Sequence, residues 1–169
     1  MANTQSMCTS FLGQLMTATH NFGVAPVRAT TAADAFYGAL YVATANTSSS
    51  TTLCASVTAY AVTVNTIPEV SGTNYTAGGA AFTNATAPAS TNSSTTAGVG
   101  YWTPSANLSF TNVTLTTPFD TVLVYNFTQT GKPAVSVHTF GSQTITAGTF
   151  TLSMPSNTTT TALLRLSTT

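Results

Sequence analysis

Residues 119–127, Phe119-Asp120-Thr121-Val122-Leu123-Val124-Tyr125-Asn126-Phe127, are the most apolar run of the chain. A short, nearly continuous apolar run between turn signals reads as a strand with both faces covered, so a central strand is expected here. On its C-terminal side Gln129-Thr130-Gly131-Lys132-Pro133 reads as a turn. Beyond it lie 135–140, where Val135, Val137 and Thr139 share one face, then 143–146, 149–154 and 163–166. On the N-terminal side Pro118 separates the run from a strand over 107–115. Further strands are expected over 99–103, 57–64 and 35–44. Segments 69–75 and 80–83 flank Gly78-Gly79, a pair that supplies the positive φ of a tight hairpin. Residues 84–98 lack any large apolar side chain and read as a long exposed loop. Short β-branched runs between Gly, Asn, Ser and Pro clusters give an all-β protein, expected as a jelly-roll-like β-sandwich of residues 32–169. No internal repeat emerges.

Residues 1–31 precede that domain as a short N-terminal helix and an extended arm. Met7, Phe11, Leu12, Leu15 and Met16 recur at helical spacing within 6–19, and Ser6 is placed to cap the start. Asn21, Gly23 and Pro26 end the helix, and 24–31 read as the arm. An exposed amphipathic segment seldom stays bare, so these five apolar residues either dock on a partner, as interface candidates, or simply pack under the sandwich.

The composition narrows the function. The 169 residues include only three Lys or Arg and three Asp or Glu, 4% against roughly 25% in ordinary soluble domains, while threonine fills 39 positions. With three scattered cations there is no patch to displace phosphate counterions or hold an anionic membrane, so neither nucleic acid nor membrane is an expected partner. No run approaches 18 apolar residues, and no cation precedes the first apolar stretch, so neither a spanning helix nor a secretion leader is expected. Cys8 and Cys54 are read as free thiols of a reducing cytosol, and the eight Asn-X-Ser/Thr triplets as unglycosylated.

Catalytic patterns are missing. His20, His138, Asp34 and Asp120 provide the residue types of a hydrolase, but no Gly-X-Ser-X-Gly elbow accompanies them. His138, within a strand, and His20, at a helix end, read as structural. Three isolated acids suit neither a glycosidase pair nor a calcium site, and no metal or cofactor is expected. Asp120 reads as a polar cap at a strand start, and Glu69 as holding a turn or meeting Arg28 or Lys132. A Thr-X-Thr ice-binding array lacks the needed period. Tyr101 and Trp102 are candidates for a sugar platform, against which Trp102 reads as sealing the edge of a core or of an oligomer contact.

Several stretches resemble a known class. ADAFYGALYVATAN (33–46), EVSGTNYTAGGAAFTNATAP (69–88), YWTPSANLSFTNVTL (101–115), FDTVLVYN (119–126) and VSVHTFGSQTITAGTFTLSMP (135–155) resemble small virion structural proteins of tailed bacteriophages. In particular they are similar to the cement or decoration proteins of icosahedral heads. The likeness runs over most of residues 1–155, with 53–66 as a local elaboration. It implies a non-enzymatic jelly-roll-like protein, a dimer or trimer, seated on the major capsid protein at the capsid exterior and assembled in the host cytoplasm. The competing expectation is a tail-fibre or receptor-binding module that holds a host glycan on Tyr101 and Trp102.

Overall fold

The computed structural model describes residues 3–16, 18–22, 33–43, 52–84, 86–91 and 97–168. Among these residues the chain is all-β with one short helix. In order come β1 (Ser6–Met7), α1 (Thr9–Met16), β2 (Phe36–Val42), β3 (Thr63–Val64), β4 (Ile67–Pro68), β5 (Ala80–Ala81), β6 (Ala89–Ser90), β7 (Val99–Trp102), β8 (Leu108–Asn126), β9 (Ala134–Leu152) and β10 (Leu164–Ser167). The large sheet runs β1-β9-β8-β2-β5, a small one runs β10-β7-β6, and β3 pairs with β4.

The apolar run 119–127 does become a central strand. It forms the C-terminal part of β8, between β2 and β9, with Val122, Leu123, Val124 and Tyr125 essentially inaccessible. The 129–133 turn is also present: the Lys132 amide donates to the Gln129 carbonyl (3.0 Å), and Gly131 takes the required left-handed φ of 81°.

Two sequence divisions are corrected. The expected strands 107–115 and 119–127 are one 19-residue strand, and 135–140, 143–146 and 149–154 merge into another. The breaks in the sequence are bulges rather than loops, with register shifts on either side of Val113 and between Leu115 and Phe119. Pro118 lies inside the last of these, where a ladder amide is not required, and its carbonyl accepts from the Ala43 amide (2.9 Å).

The bulges also bend the hairpin back on itself. In a straight strand, residues 140 and 150 would stand about 33 Å apart. Instead the Phe140 and Phe150 ring centroids are 5.4 Å apart, and Phe119 meets Phe150 at 5.1 Å. One two-stranded ribbon thus closes around its own aromatic filling.

The edge of β2 is built differently from expectation. Gly78 and Gly79 do adopt positive φ (99° and 74°), but their flanks do not pair with each other. Glu69 bridges Tyr41, and Ala80 and Ala81 pair with Gly38 and Tyr37. Segments 69–70 and 80–82 are therefore two pieces of a single broken edge strand, with 71–79 as an excursion. A Cβ on Gly79 would fall 1.9 Å from the Gly38 carbonyl oxygen, so only glycine permits that approach.

The expected strand 57–64 is mostly irregular. Residues 58–60 bond to the start of β9 (Ala134 amide to Thr58, 2.9 Å; Tyr60 amide to Lys132, 3.0 Å), and only 63–64 enter a strand. The helix is shorter than the expected 6–19. Ser6 does not cap it, because Ser6 and Met7 pair with Val137 and Ser136 in extended form. At the other end the chain reverses through Ala18 at φ 56°, and the Thr19 amide closes on the Gln14 carbonyl (2.9 Å). The helix is docked, with Cys8 and Phe11 in the main core. The expected arm 24–31 and Arg28 lie outside the described residues.

Candidate functional site: an apolar groove beside the N-terminal helix

Helix α1 carries Phe11 and Leu15 one turn apart, so both point to one side. That side faces Tyr101 and Trp102 of β7, and together these four line one apolar groove of about 160 Å³. Five interface candidates were read from the helix and two from β7, and the structure gathers Phe11, Leu15, Tyr101 and Trp102 of them. Leu12 and Met16 sit on the adjoining helix face, 44% and 86% exposed, and extend the apolar surface outward. Met7 is the exception: half-buried on β1, it packs against the core and does not line the groove.

Residues outside the sequence reading complete the groove. Phe22 stacks on Phe36 (centroids 4.2 Å, planes 7° apart) and touches Trp102 at 4.7 Å. Leu164 and Leu166 enter from β10, and Pro88 and Ala89 from the β6 end. The alternation Leu164-Arg165-Leu166 was a usable signal for two side chains on one face. Pro88 and Ala89 carried none, because they sit in a low-complexity stretch. Among the described residues no charged side chain lines the groove. Its volume is small beside the roughly 300–1,000 Å³ of small-molecule pockets, and it suits one or two anchoring side chains of a protein partner.

Trp102 is only 3% exposed. Its indole N–H donates to the Thr86 carbonyl (2.9 Å) and to Asn84 Oδ1 (3.2 Å), tying the loop before β6 to the groove wall. So little exposed, it offers no platform for a sugar ring, and the glycan reading gains no support from it.

The helix is tied to the sheet by a buried polar chain. His20 Nε2 lies 2.9 Å from Gln14 Oε1, and Nδ1 lies 3.1 Å from Asn126 Nδ2. The same Asn126 amide donates to Asp34 Oδ2 (2.6 Å). Asp34 also accepts from the Asn21 amide (2.9 Å) and Gln129 Nε2 (3.1 Å). Burial lowers the His20 pKa to about 4, with Asp34 pulling weakly the other way.

The remaining titratable groups are structurally engaged. Glu69 accepts from the Tyr60 hydroxyl (2.7 Å), the Tyr75 hydroxyl (2.6 Å) and the Gly78 amide (2.8 Å), so it does hold a turn, and phenols meet it rather than Lys132, while Arg28 lies outside the described residues. Burial first, then this carboxylate, raises both phenol pKa values. Lys132 instead lies over the Tyr60 and Phe127 rings, 5.2 and 5.0 Å from their centroids. Asp120 lies within β8 rather than at its start, and accepts from Thr121 Oγ1 (2.6 Å) and Asn3 Nδ2 (3.2 Å).

Ser136 Oγ and His138 Nε2 are 2.8 Å apart, the spacing of a nucleophile and its base. Ser136 is 1% exposed, however, so a substrate carbonyl has no approach to its hydroxyl. Burial lowers the His138 pKa to about 4. Among the described residues no three His, Cys, Asp or Glu side chains converge as metal ligands. Cys8 and Cys54 are both unpaired; burial pushes the Cys8 thiol up to about 12, and hydrogen bonds from Ser56 lower that of Cys54. Among the described residues no helix is long and apolar enough to cross a membrane. No protein-family model, no curated protein and no solved structure matches this chain.

Proposed function

We propose that this chain is a cement protein of a tailed-bacteriophage head, a small homo-oligomer on the outer face of the major capsid protein lattice. The observation that carries the reading is the groove: four side chains read from the sequence as interface candidates meet in one concavity whose described lining carries no charge. The near absence of charge and the likeness of residues 1–155 to virion structural proteins point the same way. On this reading the folded-back hairpin and the small sheet form the two faces of a jelly-roll-like sandwich. The groove and the exposed Leu12, Met16 and Leu166 bury against capsid subunits and bridge them. Each contact contributes roughly 25 cal/mol per Å² of apolar surface, and the sum over many copies opposes the pressure of packaged DNA.

The test is retention on purified particles. Hundreds of copies per particle are expected, retained from dilute buffer through about 1 M salt, where charge–charge contacts are screened beyond roughly 3 Å. Met16→Asp and Leu166→Asp, both on exposed positions, should weaken rebinding to stripped heads at least about tenfold while the purified protein stays folded. Stripping by salt alone, or only a few dozen copies per particle, overturns the reading.

A further inference from the structure

Every hydrogen around Asn126 is assigned by its neighbours. Its Oδ1 accepts from the Thr128 and Gln129 backbone amides (3.1 and 3.3 Å), which fixes that atom as oxygen. Its two Nδ2 hydrogens then go to Asp34 Oδ2 and to His20 Nδ1. His20 Nδ1 must therefore be the unprotonated, accepting nitrogen, and Nε2 carries the hydrogen toward Gln14 Oε1.

A second proton on His20 would have to sit on Nδ1, pointing at an N–H donor 3.1 Å away. Flipping Asn126 does not relieve this. It would turn an NH₂ toward two backbone N–H groups and an oxygen toward the Asp34 carboxylate. Turning the imidazole over would abandon both of its bonds. The charged ring also has poor surroundings: Phe11 at 4.9 Å, Phe22 at 6.1 Å and Phe36 at 6.2 Å. Among the described residues, Asp34 is the one charged group facing it, and Asn126 stands between them. The helix side presents Gln14 and Phe11, the β2 side Phe36, and the end of β8 Asn126.

We propose that residues 10–16 of helix α1 and residues 18–22 form an acid-released latch, held while His20 is neutral and freed when its ring gains a proton. Residues 3–9 stay anchored on release. Their attachments are separate: Asn3 to Thr121 (2.7 Å), the Thr4 amide to Leu53 (3.0 Å), the Cys8 amide to Val135 (3.0 Å) and the Thr9 amide to Ala55 (2.8 Å). The stretch that swings carries Phe11, Leu15 and Phe22, one whole wall of the groove. Release therefore uncovers Trp102.

The pH window follows from the sign of the shift. The docked ring resists protonation down to about 4, whereas a free imidazole accepts a proton near 6.5. The released form binds more protons between these values. Docking is at full strength above about pH 6.5 and weakens by about tenfold per pH unit below it, about 300-fold in all by pH 4. This holds whether or not the groove meets a capsid.

Trp102 is the single tryptophan and reports directly. Its emission should shift to the red on acidification between pH 6.5 and 4, with the far-ultraviolet β signal unchanged. In His20→Gln, whose side chain can accept and donate but not titrate, the shift should vanish over that range. Imidazole nitrogen spectra of the unaltered protein give a second readout. They should show the Nε2–H form at pH 7, with ring charging concurrent with the Trp102 shift. The latch is wrong if His20→Gln keeps the same transition, which would place its origin outside His20, with His138 the other imidazole whose pKa burial lowers to about 4. It is equally wrong if the β signal is lost together with the Trp102 shift, or if His20 charges while Trp102 emission stays fixed.

Discussion

The two ends of the long hairpin are made from the same pair of strands and live in different surroundings. Near the turn, residues 121–126 of β8 are all buried, with β2 on one side and β9 on the other. Far from the turn, residues 141–144, 146, 147, 149 and 151 of β9 are exposed, and β8 alternates. The sequence differs in the same way. Val122-Leu123-Val124-Tyr125 is apolar without a break, whereas Thr144-Ile145-Thr146 alternates. How many faces of a strand are covered is thus written in its pattern, and a change of pattern along one strand marks where its neighbours end.

The comparison can be broken most sharply at the corner between the two ends. Phe119 touches both Phe140 (6.0 Å) and Phe150 (5.1 Å). Phe119→Ala should cost about 4 kcal/mol in urea unfolding and loosen the fold-back, because the cavity lies where both ends meet. A loss below about 1 kcal/mol would mean the ends are not packed on each other. A matched pair comes next. Leu123→Ala, in the fully buried end, should cost about 3 kcal/mol, and Ile145→Ala, half-buried in the other end, about 1 kcal/mol. Equal losses would erase the distinction. The smallest expected effect is Thr149→Val, on an exposed position, which should stay within about 0.5 kcal/mol. Amide exchange sharpens the same contrast. Protection of residues 122–125 should approach the global unfolding free energy, and that of 141–149 should fall well short of it.

The parts legible from sequence were those where pattern and burial coincide. The central run, the Gln129–Pro133 turn, β2, β7 and β10 needed only periodicity and turn chemistry. The continuity of β8 and β9 was hidden, because Pro118, Gly141 and Gly148 look like punctuation. They can interrupt the pattern without ending the strands, because bulges accommodate the extra residues and the missing amide. The β3–β4 hairpin was hidden for another reason. Its two-residue turn is Asn65-Thr66, at φ 50° and 67°, and a β-branched residue is seldom found in that conformation. The strand expected over 57–64 failed because its alternating side chains serve different neighbours: Tyr60 leans on Glu69 and Tyr125, while Val57 enters the core.

The groove was half legible. Helical spacing gave Phe11 and Leu15, and the aromatic pair gave Tyr101 and Trp102. Nothing in the linear order brings residue 11 beside residue 102; that depends on Phe22 stacking over Phe36. The buried chain of His20, Asn126 and Asp34 was not legible either, since its partners lie 106 and 92 residues apart.

The folded-back ribbon also decides where this polypeptide can be opened. New ends at Gly131, on the exposed tip of the turn, leave every ladder bond between β8 and β9 possible. A break at Gly141 would instead divide a strand whose two segments close over the same aromatic rings, and each fragment would be left with an uncovered half of that filling. A circularly permuted chain should therefore tolerate the first opening and not the second, although both glycines are exposed.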